Sequence, residues 1–160
     1  MTVRKDDSCE CADHGDDLHV PVDANVGANV GIVLISHSRA LAEGAAELAR
    51  QMGVGQVAVE PAGGAADGGL GTSIDLLESA VRAADKGAGV VLIADLGSSV
   101  LTAKTYLEDL EDTGTPETEV VLADAPFVEG AVAAASAAAA GAGVAAVVSA
   151  AAEAYAFRKA

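Results

Sequence analysis

A histidine between two serines stands where an apolar run stops, in Gly31-Ile32-Val33-Leu34-Ile35-Ser36-His37-Ser38-Arg39. An imidazole at such a place can attack phosphorus as a nucleophile or move protons. Two other stretches carry chemistry that fits it. Gly68-Gly69-Leu70-Gly71-Thr72-Ser73 joins glycines to two hydroxyls, and Asp95-Leu96-Gly97-Ser98-Ser99 joins a carboxylate to two more. Glycines let backbone N–H groups approach a ligand closely, and the N–H groups of a helix's first turn point outward as anion donors. Together these groups suit a tetrahedral oxyanion such as a phosphoryl group. His37 and Asp95 are the candidate catalytic pair: the carboxylate would hold one ring nitrogen and leave the other free to attack. Ser38, Gly71, Thr72, Ser73, Gly97, Ser98 and Ser99 are the candidate phosphoryl-binding residues. A plainer account makes Asp95 a helix cap, the serines first-turn residues and the glycines ordinary turn formers. What sets the two apart is whether the three stretches meet.

The elements that must bring them together can be read from periodicity. The run from Gly31 is short, apolar on consecutive positions and bounded by glycine, as in a buried parallel strand. Leu41, Ala45, Leu48 and Met52 then mark one face of a helix that Gly53 and Gly55 stop. Residues Gln56 to Glu60 form a second strand with Pro61 ending it. The glycine-dense loop follows and leads into a helix with Ile74, Leu77, Val81 and Ala84 inward. Val90 to Ala94 is the third strand, and the helix after it buries Val100, Ala103, Leu107 and Leu110 and exposes Glu108, Asp109 and Glu111. A turn over residues 112–118, with Gly114 and Pro116, precedes the fourth strand, Glu119 to Ala123. Asp124 caps the next helix with Pro126 in its first turn. Gly141 and Gly143 break the alanine run, and a last helix extends from Val144 to about Phe157. This β-α-β-α-β-α-β-α-α order predicts an α/β fold, an open parallel four-stranded sheet with helices on both faces. All three chemistry-bearing stretches then follow strands and precede helices, at the carboxyl edge where ligands of such sheets collect.

Composition bounds the rest. The 160 residues suit one domain, with 51% hydrophobic and only 2% aromatic residues, so the core must be built from Ala, Val, Leu and Ile. Twenty-four acidic residues against nine basic, a net charge of −15, argue against nucleic acid or an anionic membrane as partner and suggest a salt-rich cytoplasm. No stretch reaches the roughly 18 apolar residues of a membrane span. No cationic region followed by an apolar core opens the chain, so the protein is expected to be cytoplasmic. Residues 1–29 read as an acidic disordered tail ahead of a folded domain over 30–157. The tail carries Cys9, Cys11, His14 and His19, whose spacing matches no regular zinc module; no metal site is assigned. The stretch Gly69-Leu70-Gly71-Thr72-Ser73-Ile74 lacks the third glycine of a dinucleotide fingerprint, and the phosphate loop of nucleoside triphosphatases is absent from the sequence. A receiver-type phosphoaspartate domain needs acidic residues at the end of the first strand, where this chain has Ser-His-Ser. A histidine phosphocarrier therefore accounts for the residues better than an ATP-using kinase.

Ile35-Ser36-His37-Ser38, Gly68-Gly69-Leu70-Gly71-Thr72-Ser73, Ala94-Asp95-Leu96-Gly97-Ser98-Ser99 and Ala125-Pro126-Phe127-Val128-Glu129-Gly130-Ala131, in this order, resemble the phosphotransferase subunit of the phosphoenolpyruvate-dependent dihydroxyacetone kinase. That subunit is similar to the mannose-family enzyme IIA domain of the sugar phosphotransferase system. The resemblance covers about Val30 to Ala152. It implies a homodimer whose active histidine, here His37, takes phosphoryl from the histidine phosphocarrier protein, and ultimately from phosphoenolpyruvate. The group then passes to ADP held, with magnesium, on the nucleotide-binding subunit, and the resulting ATP phosphorylates dihydroxyacetone on a third subunit. No cofactor is implied on this chain itself. Asp95 falls where the family's histidine-bonding aspartate stands. Gly97-Ser98-Ser99-Val100 departs from the mannose-type Gly-Gly-Ser-Pro segment, which favours the dihydroxyacetone branch over sugar transport. Some members carry further carrier domains after this one, and here those carriers are expected to be separate proteins. The alternatives are a mannose-type transport component and a regulatory module switched by phosphorylation of the histidine.

Overall fold

The computed structural model describes residues 28–114 and 117–160. The tail residues Cys9, Cys11, His14 and His19 lie outside the described residues, as do Thr115 and Pro116 of the expected turn. Four strands form one parallel sheet: β1 (Gly31–Ser36), β2 (Val59–Gly63), β3 (Val90–Ala94) and β4 (Val120–Ala123), in the order β2-β1-β3-β4. Between and after them run α1 (Arg39–Met52), α2 (Ile74–Ala84), α3 (Gly97–Asp112), α4 (Phe127–Ala139) and α5 (Val144–Glu153), the last ending in a 3₁₀ turn, Ala154–Ala156. The expected four-stranded parallel sheet is present, with helices on both faces.

Alternation along the strands divides the core in two. Ile32 and Leu34 of β1 and Val91 and Ile93 of β3 point to the layer of α1, α4 and α5, where most of the helical contribution is alanine. Val33, Ile35, Val90 and Leu92 point to the opposite layer, built from Leu77, Ala80, Val81 and Ala84 of α2 with Ala103 and Tyr106 of α3. Alanine-rich helices can lie close to the sheet because little side chain stands between, and a glycine allows the closest approach of all. A Cβ on Gly31 would stand 2.3 Å from the carbonyl oxygen of Ala84 at the end of α2. Gly31→Ala is therefore expected to destabilise the fold by about 1–3 kcal/mol through overpacking. Gly44→Ala, in the interior of α1 with open space at its Cβ, should stabilise it by roughly 0.5–1 kcal/mol. Urea denaturation of both variants checks the opposite signs.

Several expectations are corrected. The buried face of α1 is Ala42, Ala45, Ala46 and Ala49, while Leu41, Leu48 and Met52 are exposed. The small residues go inward because α1 packs closely on β2 and α4, which leaves no room for leucine. Strand β2 starts later than expected and contains Pro61, paired in register with Leu34. The sheet order explains this: β2 is an edge strand, where a missing backbone N–H can be tolerated. Ile74 stands at the exposed start of α2, and Val100, Leu107 and Leu110 are half-buried around Ala103. Tyr106, which the apolar pattern passes over, is buried. The N-cap of α4 is Pro126 and not Asp124, whose carboxylate instead accepts a hydrogen bond from Tyr155 at 2.9 Å. Among the described residues no helix is long and apolar enough to cross a membrane.

Candidate active site

The connection from β1 runs to β2 on one side, while β3 pairs on β1's other side, so the carboxyl ends of β1 and β3 flank the point where the strand order reverses. His37 follows β1 directly and Asp95 follows β3 directly. Their backbones are tied by the N–H of Asp95, which donates to the carbonyl of Ile35 at 3.0 Å. The glycine loop is drawn to the same point. Gly64 N–H donates to Ser36 C=O and Gly71 N–H to His37 C=O, each at 3.0 Å. Gly71 has φ +149 and a Cβ there would stand 3.1 Å from that of Ala65, so glycine suits both the turn and its packing.

Around Asp95 the donors converge. Oδ1 lies 3.0 Å from His37 Nδ1, 2.7 Å from the Ser99 hydroxyl and 2.6 Å from the Leu96 N–H. Oδ2 accepts from the Ser36 hydroxyl at 2.8 Å and from the His37 N–H at 3.0 Å. Burial alone would raise this carboxyl. Hydrogen bonds from Ser99, the His37 N–H, Ser36 and the Leu96 N–H outweigh that and hold it at about 2, below its usual 3.8. A carboxylate so held accepts a proton from Nδ1, which leaves the Nε2 lone pair facing out. Nε2 makes a close contact with the Ser98 hydroxyl, which then acts as donor. The imidazole keeps 27% of its side-chain surface exposed and the carboxylate 8%, so the pair is anchored inside and open outside.

The folded-state value of Asp95 carries a stability consequence. A depressed carboxyl stabilises the fold fully above its unfolded value and ceases to do so as pH falls through 3.8 toward about 2. The contribution lost is roughly 2 kcal/mol. Urea denaturation at steps from pH 6 to pH 2 should show this loss in the native chain, and Asp95→Asn should lack that share of it.

The candidate phosphoryl-binding residues separate into groups. Ser98 is exposed and touches Nε2. Gly97 opens α3 with nothing near its Cβ direction. Ser99 is fully buried, its hydroxyl turned inward on Asp95 and on the Leu96 carbonyl at 2.6 Å; it steadies the carboxylate. Ser38 and Ser73 cap α1 and α2, accepting from the N–H of Leu41 at 3.3 Å and of Leu76 at 3.4 Å. Thr72 is 2.8 Å from the Thr102 hydroxyl, which itself donates to the Ser98 carbonyl at 3.0 Å, so the loop is latched to α3. Ser36 and Thr102 are site residues that motif reading misses. A polar residue closing a fully buried strand marks the first, and the Ser98-to-Thr102 spacing of one helical turn marks the second. Among the described residues no three His, Cys, Asp or Glu side chains gather as a metal site.

Residues 31–148 match the family described as PTS system fructose IIA component. A phosphoryl donor subunit DhaM of PEP-dependent dihydroxyacetone kinase 2 from Listeria innocua is 35% identical over 106 residues, 66% of this chain and 83% of that one. A second DhaM from the same organism, of kinase 1, is 38% identical across 66% of this chain and 78% of its own length. The Escherichia coli DhaM is 36% identical across 66% of this chain, which spans only 22% of that longer protein. A crystal structure of a protein of unknown function superposes with a TM-score of 0.66 at 31% identity, covering 77% of this chain and 92% of the other. With the family matched over most of the sequence, and with a sheet whose histidine and aspartate loops meet at its carboxyl edge, this chain belongs to the enzyme IIA family of the phosphotransferase system, the mannose-type EIIA group.

Proposed function

We propose that the chain is the phosphoryl donor subunit of a phosphoenolpyruvate-dependent dihydroxyacetone kinase, carrying the phosphoryl group on Nε2 of His37. The observation that supports this most is the pinning of Nδ1 by Asp95, which turns the other nitrogen's lone pair toward solvent. In loading, the Ser98 hydroxyl swings off Nε2 and the lone pair attacks phosphorus on the donor's phosphohistidine. The new N–P bond forms as the old one breaks, and the donor imidazole leaves with its electron pair. Asp95 offsets the positive charge that develops on the ring, and the freed Ser98 hydroxyl donates to a phosphoryl oxygen. Gly97, Gly71, Thr72, Ser73 and Ser38 shape the rim around that oxygen, and Ser99 acts through Asp95 as a positioning residue.

The donor in this reading is the histidine phosphocarrier protein, and the acceptor is ADP with magnesium on a separate nucleotide-binding subunit. The carrier itself is a cytoplasmic homodimer with no cofactor of its own. The test is incubation with phosphoenolpyruvate, enzyme I and the phosphocarrier protein, followed by chase with the ADP-loaded subunit. One acid-labile phosphoryl group per chain on His37, drained as ATP appears, is the expected result. Labelling at another residue would overturn the site, and a phosphohistidine that does not drain to ADP would favour a regulatory module. Drainage only to a sugar permease would favour the transport reading.

A further inference from the structure

The contacts that place Nε2 at the rim also form a continuous row: Asp95 Oδ1, then His37 Nδ1 at 3.0 Å, then His37 Nε2 against Ser98 Oγ. The carboxylate end is buried and held by four other donors. The hydroxyl end is exposed, on the first turn of α3. This is the order of acid, base and nucleophile in which an imidazole, fixed in its tautomer by a carboxylate, takes a proton from an attacking serine. A group arriving from solvent along the Nε2 axis meets Ser98 Oγ before it meets the ring. Donation from Ser98 to the phosphoryl oxygens does not by itself require such a row.

We propose that Ser98 is a second nucleophile of this site, with His37 as its general base, toward tetrahedral phosphorus electrophiles. In the step, Ser98 Oγ bonds to phosphorus as its proton passes to His37 Nε2. The bond from phosphorus to the leaving group breaks, the leaving group departs with the electron pair, and Nε2 releases the proton to water. The N–H groups of Gly97 and Ser98, which have no hydrogen-bond partner among the described residues, face the charge that gathers on the phosphorus-bound oxygens. The product is a serine phosphoester, acid-stable where a phosphohistidine is acid-labile, and it stands directly in front of Nε2. Any group placed there closes the histidine to loading, so the same row that exposes the nucleophile can also block it.

The probe is a fluorophosphonate, whose leaving group is fluoride and which needs neither enzyme I nor a phosphocarrier. Treated with it at neutral pH, the full chain should gain one adduct, mapped by mass spectrometry to Ser98. Ser98→Ala should gain none there, and His37→Gln should slow labelling of Ser98 by roughly 100-fold or more, the share that a general base supplies. An adduct on His37 itself, or labelling of Ser98 at the native rate in His37→Gln, would overturn the proposal. Circular dichroism of each variant confirms that the sheet is intact. Loading of His37 by a phosphocarrier is a separate measurement, so the carrier reading and this one can fail independently.

Discussion

In His37→Ala, acid-labile phosphoryl uptake is expected to fall below detection, a loss on the order of 1,000-fold or more because the one imidazole among the described residues is gone. Neighbours cannot substitute for it. Ser98 loses its base, Ser99 is buried against Asp95, and Ser38 and Ser73 each accept a helix-capping hydrogen bond. The fold should survive. The ring is partly exposed, and removing it leaves Asp95 Oδ1 still bonded by the Leu96 N–H and the Ser99 hydroxyl, with Oδ2 unchanged. A stability change of about 1 kcal/mol or less follows, in the range of substitutions that open no core cavity. Uptake of labelled phosphoryl from the loaded phosphocarrier protein, read beside a thermal melt, separates the two effects. Uptake that persists at the native level in the variant would place the carrier residue elsewhere.

The histidine is legible in the sequence because of the strand in front of it. A short apolar run bounded by glycine, from Gly31 to Ile35, reads as a strand covered on both faces; all six residues from Gly31 to Ser36 are buried in that strand, which sets His37 at the sheet's carboxyl edge. The pairing of β1 with β3, by contrast, is a long-range fact; the chain order makes it plausible and the register Ile35 to Ala94 realises it. Finer assignments depend on which way a hydroxyl turns, and neighbouring serines are not distinguishable by type. Ser98 and Ser99 are adjacent on α3, yet a helical step of about 100° puts one outside on Nε2 and the other inside on Asp95. The buried stripe of α1 departs from its periodicity for a related reason. Hydrophobic periodicity weights leucine above alanine as a core residue, but alanine wins wherever a helix must approach the sheet and a second helix at once. At β2 the valines mark the strand but not its end, because Pro61 is a strand breaker except at an edge, and edge position is set by topology.

Asp95→Asn should cost more than the loss of one hydrogen bond, for a reason that the number of donors makes definite. The native carboxylate accepts at both oxygens: Oδ1 from Nδ1, Ser99 and the Leu96 N–H, and Oδ2 from Ser36 and the His37 N–H. An asparagine amide has one acceptor oxygen and one NH₂ group, so whichever way it is turned a donor meets a backbone N–H that cannot rotate away. With NH₂ at the Oδ2 position the His37 N–H loses its acceptor, and the loop carrying the imidazole shifts. With NH₂ at the Oδ1 position the Leu96 N–H meets a donor and keeps only its longer bond to the Ser99 hydroxyl at 3.1 Å, and Nδ1 must accept, which moves the ring proton to Nε2 and removes the attacking lone pair. Either orientation lowers phosphoryl transfer; the second is the larger effect, on the order of 1,000- to 10,000-fold by analogy with tautomer reversal in serine proteases. Stability at neutral pH should fall by about 1–3 kcal/mol for the donor left unsatisfied. Nitrogen-15 shifts of the His37 ring distinguish the cases, since a merely structural loss would leave the proton on Nδ1. Transfer at the native rate with the proton on Nε2 would show that Asp95 does not set the nucleophile.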